Sequence, residues 1–378
     1  MTSPAPDEHR ELLRASVADF IQRGTDIARV RKLRDTKPGY DRAVWRQLAE
    51  LGWLGILVPE ENGGLGLGLS EMAFVAEGAG RALLPEPLVG AAVLAAGVLR
   101  ASSKTPLGAG LLQSLAAGEL IPALAWQESA GTLDMTARET RAAPFEAALR
   151  LNGTKRFVHG GRGADGYIVS AAADAGPVLA WVPAQTPGVS VAATPLTDGR
   201  AMATVMLKDV VVPREQVLAE GAAAQAALER ARDEALVMTG AELCGVMDRA
   251  LEMSLEYLKT RVQFGKPIGS FQVLQHRAVD LHIQRELAAA ALADITAELD
   301  GGVDAARRAL LASRIKARCA DAALAITREA IQLHGAIGFT DEYDAGLYLK
   351  RAMTLASWLG GATLHRRRYA QLMPAEVL

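Results

Sequence analysis

An excess of charge of either sign is missing from this sequence: 41 lysines and arginines face 43 aspartates and glutamates, a formal net charge of −2 over 378 residues. That balance gives no pull towards nucleic acid or an anionic membrane surface. Cysteine is scarce too, with only Cys244 and Cys319, both in helical patterns and neither with a CxxC partner. They read as buried thiols of a protein in a reducing cytoplasm, not as a disulfide frame. No cluster of His, Cys and carboxylates has metal-ligand spacing, so no metal is expected. The longest uncharged apolar run, 88–99, is too short to span a bilayer. Residues 1–10 are polar and lack an apolar core, so no leader peptide is expected. Aromatic residues make up only 5%, yet half of the chain is apolar. A sizeable core is therefore expected, in a chain long enough for two or three domains.

Three compositional regions follow one another. Up to about residue 120 the apolar spacing is helical, with helices near 41–51 and 70–82, and breaks at Pro85, Pro87 and Pro106. From 121 to 220 short apolar runs lie between turn residues, at 123–126, 147–151, 167–172, 178–182, 189–192 and 204–212. Short strands at that spacing predict a β-barrel or sandwich, closed by an alanine-rich link at 220–228. From 229 onward the pattern is helical again and bundle-like. The expected class is α+β, with an N-terminal helical domain (1–120), a middle β domain (121–220) and a C-terminal four-helix bundle (221–378).

The most informative stretch is Arg261-Val-Gln-Phe-Gly-Lys-Pro-Ile-Gly-Ser-Phe-Gln-Val273, set between two long helical patterns. Its glycines and proline make it a turn. Arg261 near a helix C-terminus and Lys266 in the loop are favourable there on dipole grounds alone. An exposed arginine beside a glycine-rich corner is also placed to fork onto a phosphate.

The wording Arg-x-Gln-Phe-Gly-x-Pro-Ile-x-x-Phe-Gln resembles the signature of acyl-CoA dehydrogenases, as does the order helical, β, helical. Residues 51–66, Leu-Gly-Trp-Leu-Gly-Ile-Leu-Val-Pro-Glu-Glu-Asn-Gly-Gly-Leu-Gly, resemble the family's N-terminal domain. The resemblance implies FAD as cofactor and an acyl-CoA substrate. It also implies an electron-transfer flavoprotein as electron acceptor and a role in lipid or acid catabolism. It places Arg261, Gln263, Phe264 and Gln272 at the dinucleotide end of an FAD held by a neighbouring subunit. Gln332-Leu-His-Gly-Ala-Ile-Gly-Phe339 resembles the family's Gln-x-x-Gly-Gly-x-Gly-Tyr loop. Gln332 and Gly335 join the same set, glycine there allowing close approach to the pyrophosphate. Two further stretches resemble the walls of the flavin ring. In Ala125-Trp-Gln-Glu-Ser-Ala-Gly-Thr-Leu-Asp134, Gln127 stands where a flavin-contacting hydroxyl is usual and Glu128 keeps the family residue. In Leu151-Asn-Gly-Thr-Lys-Arg-Phe-Val-His-Gly-Gly161, Phe157 replaces a ring-covering Trp and His159 replaces a Thr that donates near flavin N5. His159 is a donor in either tautomer, or else a turn residue before Gly160.

Desaturation of an acyl-CoA requires a carboxylate to remove the α-proton while a hydride leaves the β-carbon. The family's usual Glu aligns with Trp358-Leu-Gly-Gly361, where no acid is found. The family's second position falls at Ala235. Glu242, two helical turns further on the same face, is the candidate base in this chain, and a structural salt bridge is the alternative. Glu234 reads as an exposed first-turn acid. Some bacterial members of the family work as two-type heterotetramers in which one chain type supplies the base. The chain looks most like the small subunits of pimeloyl-CoA dehydrogenases, in Glu256-Tyr-Leu-Lys-Thr-Arg, Leu349-Lys-Arg-Ala-Met353 and Arg366-Arg-Arg-Tyr369. A homodimer or tetramer, or a heterotetramer with a second acyl-CoA dehydrogenase chain, follows. A non-catalytic scaffold binding FAD or CoA, and a related flavin oxidase or monooxygenase, are the competing readings.

Overall fold

The computed structural model of the chain describes residues 6–24 and 26–373. Helices come first: α1 (Pro6–Gly24), α2 (Ile27–Arg34), α3 (Arg42–Glu50), α4 (Leu69–Arg81), α5 (Ala96–Ala101) and α6 (Pro106–Ala116). A π-helical segment, Val89–Ala95, leads into α5. The Asp41 side chain caps α3 by accepting from the Ala43 amide. Thr105 does the same for α6 through Gly108, with Pro106 in the first turn.

Eight strands follow: β1 (Pro122–Ala125), β2 (Arg141–Phe145), β3 (Ala148–His159), β4 (Gly166–Ala173), β5 (Gly176–Pro183), β6 (Val189–Pro195), β7 (Ala201–Pro213) and β8 (Val217–Glu220). They form one sheet in the order β6-β7-β3-β2-β4-β5-β8, with β1 parallel to β4. Its core gathers Leu151, Val158, Val169, Val182, Val205 and Val212. Two strands of this sheet have no matching apolar run in the sequence, because Arg141 and Pro144 disguise β2 and β8 is only four residues long.

The last helices are α7 (Gly221–Thr260), α8 (Gln272–Asp300), α9 (Ala305–His334), α10 (Ala345–Ser357) and α11 (Ala362–Leu372). Residues 221–228, expected as a link, are the first two turns of α7. Alanine is the strongest helix former, and its abundance there favours helix over loop.

Packing groups these elements into two compact units: Met1–Arg31, Leu69–Leu84 and Leu236–Leu378 in one, Lys32–Gly68 and Pro85–Ala235 in the other. The first is helical and draws α1 and α4 onto the C-terminal helices; the second holds the sheet. Two glycines make the contact between α4 and α7. A Cβ on Gly80 would lie 1.9 Å from the Glu242 carbonyl oxygen, and one on Gly245 1.8 Å from that of Glu77. Cys244 and Cys319 are buried free thiols, as expected, with their Sγ atoms 3.9 Å apart. Among the described residues no helix is long and apolar enough to cross a membrane, and no cluster has the makings of a metal site.

Candidate cofactor site

α7 ends at Thr260, and the chain reverses at once through a miniature hairpin in which β9 (Val262–Gln263) pairs with β10 (Lys266–Pro267). Phe264 and Gly265 form its two-residue turn, both at positive φ (54° and 77°), as a tight hairpin with right-handed strand twist requires. Glycine adopts that conformation freely. Phe264 adopts it against its own Cβ, a strain that clusters at binding sites. The Ile268 amide donates to the Arg261 carbonyl at 2.8 Å and closes the corner. Phe264 is 89% exposed, touching Phe271 edge-on with ring centroids 6.1 Å apart. Lys266 Nζ stands 4.4 Å over the Phe271 ring. Gln263 and Gln272 are exposed beside them. Among the described residues neither Arg261 nor Lys266 forms an ion pair.

The second loop begins where α9 stops. Gly335 has φ 65° and ψ −137°, a conformation open to glycine alone, and a Cβ there would meet nothing within 4 Å. Gln332 is exposed in the last turn, and Phe339 is 81% exposed beyond it. His334 braces this loop: its Nδ1 lies 2.7 Å from the Ala330 carbonyl and its Nε2 2.9 Å from the Tyr343 hydroxyl. The same ring packs 4.5 Å from Tyr257, one turn before Arg261 on α7. The two motifs, some seventy residues apart in sequence, therefore share one end of the bundle. Sequence reasoning gave His334 no role. The nearby aromatic Tyr343 was its one local sign. Two cations without carboxylate partners, a glycine open to backbone approach and an exposed aromatic suit an anionic dinucleotide well.

In the sheet unit, the loop after β1 and the far half of β3 come together. The Arg156 amide donates to the Gln127 carbonyl at 2.7 Å, and the Gln127 amide nitrogen donates to the Ser129 carbonyl at 2.9 Å. Phe157, half-exposed with φ 55°, sits in a register shift between Lys155 and Val158. Glu128 is turned inward. Its carboxylate accepts from Lys155 Nζ at 2.8 Å and from the amides of Arg138, Glu139 and Thr140 at 2.8–2.9 Å. Burial alone would raise its pKa, but Lys155 and the three amides outweigh it and hold the acid at about 2. Glu128, expected as a cofactor contact, clasps the 126–140 loop. His159 packs against the segment before α5, so closely that a Cβ on Gly90 would lie 2.4 Å from its Nδ1.

The three acids nearest the expected base positions, Asp233, Glu234 and Glu242, are all buried and all engaged by arginine, Asp233 by Arg232 at 3.0 Å. Glu242 Oε1 accepts from Arg351 Nη1 at 3.0 Å, and Arg351 also donates to the carbonyls of Leu83 and Leu84. The packing of α7 against α10 thus produces the salt bridge that was the alternative reading of Glu242. Glu234 is not an exposed first-turn acid: α7 starts thirteen residues earlier, and the side chain is buried between Arg100 and Arg230. On the 358–361 loop, Trp358 and Leu359 are buried. Lys316 holds this loop in place, donating to the carbonyls of Leu355, Ala356 and Gly360 at 3.0, 2.9 and 3.0 Å.

Family models for the N-terminal and C-terminal domains of acyl-CoA dehydrogenase match residues 7–119 and 221–373. Acyl-CoA dehydrogenase IpdE2 of Mycobacterium tuberculosis is 33% identical over 348 residues, covering 92% of each protein. Among solved structures, a variant of the Tcur3481-Tcur3483 steroid ACAD is similar with a TM-score of 0.86 at 30% identity, over 97% of this chain and 98% of that one. The ChsE4-ChsE5 complex from Mycobacterium tuberculosis gives 0.86 at 27% identity, over 99% of both chains.

Proposed function

The chain belongs to the acyl-CoA dehydrogenase family, and we propose that it works as one of two chain types in an assembly that desaturates an acyl-CoA thioester. FAD is the cofactor, and when bound it takes up the hydride that leaves the β-carbon. This chain's part is to bind and orient. Arg261 and Lys266 would neutralise the pyrophosphate of an FAD held chiefly by a neighbouring chain, Phe264 would pack on its adenosine end, and Gln332 and the Gly335 backbone would complete the grip. Gln127 and Phe157 line the edge that a flavin ring would occupy, with Glu128 holding their loop from behind.

One observation carries the two-type reading: each candidate for the α-proton acceptor in this chain is absent or occupied. The 358–361 loop has no acid, and Asp233, Glu234 and Glu242 are held by arginines. A base must lie within hydrogen-bond reach of the proton it removes, so a second chain supplies it. That the ChsE4-ChsE5 neighbour is a complex of two differently named proteins supports this reading. Because the Tcur3481-Tcur3483 neighbour is a steroid ACAD, a steroid-derived acyl-CoA is the first substrate to try, with an electron-transfer flavoprotein as acceptor.

The test is reconstitution. The chain is purified alone and with the second acyl-CoA dehydrogenase chain recovered from its native host, and flavin is counted against protein. About one FAD per two chains, with ferrocenium reduction only in the mixed assembly, is expected. One FAD per chain with turnover by the isolated protein would refute the two-type reading.

A further inference from the structure

A cavity of about 620 Å³ opens within the helical unit between α1, α4, α7 and α8. Its volume falls in the range of small-molecule sites. Val17 and Ile21 from α1, Phe74 from α4 and Leu292 from α8 give it apolar walls, and alanines such as Ala293 leave the space unfilled. None of the residues lining it belongs to the Arg261 corner or the Gly335 loop, and nothing in the dehydrogenation chemistry calls on it.

Its polar lining is mostly self-satisfied. From α1, Arg10 pairs with Glu71 at 2.7 Å, and the Arg14 guanidinium lies 4.2 Å over the Phe74 ring. Arg81 of α4 pairs with Glu252 at 2.5 Å, and Asp248 of α7 is held bidentately by Arg285 of α8. Glu77 is different: among the described residues no donor reaches its carboxylate, although it lines the cavity. Burial and the nearby Asp248 push its pKa up to about 7, against the pull of Arg285 and Arg14.

We propose that this cavity binds an amphipathic amine, its apolar body against Phe74 and Leu292 and its ammonium donating to Glu77. An ammonium offers three donors and a full charge to a carboxylate that no donor among the described residues reaches and that Arg14 and Arg285 influence only through space. An anion would meet Glu77 and Asp248 beside arginines already engaged with Glu71, Phe74 and Glu252, and an alcohol would bring no charge to Glu77.

The probe is n-octylamine, titrated calorimetrically into the FAD-loaded protein, with 1-octanol and octanoate as comparisons. Glu77 must lose its proton to pair, so octylamine binding is expected to tighten about tenfold between pH 6 and pH 8, following a group that titrates near 7. Glu77→Gln should remove that pH dependence and weaken binding by more than tenfold. Ala293→Phe should fill the space and abolish binding with FAD content unchanged. The proposal is overturned if octanol or octanoate binds as tightly as octylamine, or if Ala293→Phe still binds it. It is equally overturned if Glu77→Gln keeps the pH dependence. Should Ala293→Phe fail to fold, Glu77→Gln alone decides.

Discussion

Replacing Arg351 with alanine is expected to destabilise the helical unit by about 3–5 kcal/mol, the cost of breaking a buried ion pair by removing one partner. The guanidinium is 2% exposed and joins three elements through Glu242 on α7 and the carbonyls that follow α4. Without it the buried Glu242 carboxylate loses its arginine, and two carbonyls lose their donor. Glu242→Leu combined with Arg351→Met should recover most of the loss, because replacing both partners by apolar groups of similar volume is close to neutral. Urea denaturation of the two single variants and the double variant measures this as a cycle. Additive losses, with no recovery in the double variant, would show that Glu242 does something other than pair with Arg351.

Glu128→Ala should cost a similar amount, about 3–5 kcal/mol, and for the same reason. The Glu128 side chain is 8% exposed and that of Lys155 not at all, and without the acid the ammonium would keep, among the described residues, the Ser170 hydroxyl and the Trp126 carbonyl. The loop 126–140 would also lose the acceptor of three amides, so limited proteolysis within it should accelerate. The pH dependence has a definite sign. A carboxylate held at about 2 in the folded protein contributes stability that is full above its ordinary value of 4.5. That contribution is lost as the pH falls through the folded value. The wild-type protein should therefore shed this contribution between about pH 4.5 and 2, and the Glu128→Ala protein should show a shallower acid limb.

What the sequence could say was set by range. Local features were legible: the start of α3 at Asp41, the α4 and α8 periodicities, the turn that follows Arg261, and the missing acid at 358–361. The class and order of the helical and β regions came from the same short-range patterns. Features set by partners far along the chain were not legible. Glu234 looks like a surface acid until Arg100, 134 residues earlier, is packed over it. Glu242 left base and salt bridge both open until Arg351, 109 residues later, arrived to hold it. Glu128 matched a cofactor motif, but its partners are Lys155 and amides contributed by the return of its own loop. His334 ties its loop to α7 through Tyr257, a contact that no local pattern announces. The start of helix α7 at Gly221 is hidden because an alanine-rich stretch between regions reads as a linker when no packing partner is in view.

Binding of FAD by the assembled protein carrying Arg261→Ala bears most directly on the claim that this helix corner grips a dinucleotide. A charge-assisted contact to phosphate is worth about 1.5–3 kcal/mol, so FAD should bind roughly 10–100-fold more weakly. Circular dichroism and subunit composition should be unchanged, since Arg261 is exposed and makes no ion pair among the described residues. FAD bound as tightly as in the wild type, in Arg261→Ala and in Phe264→Ala alike, would contradict the account.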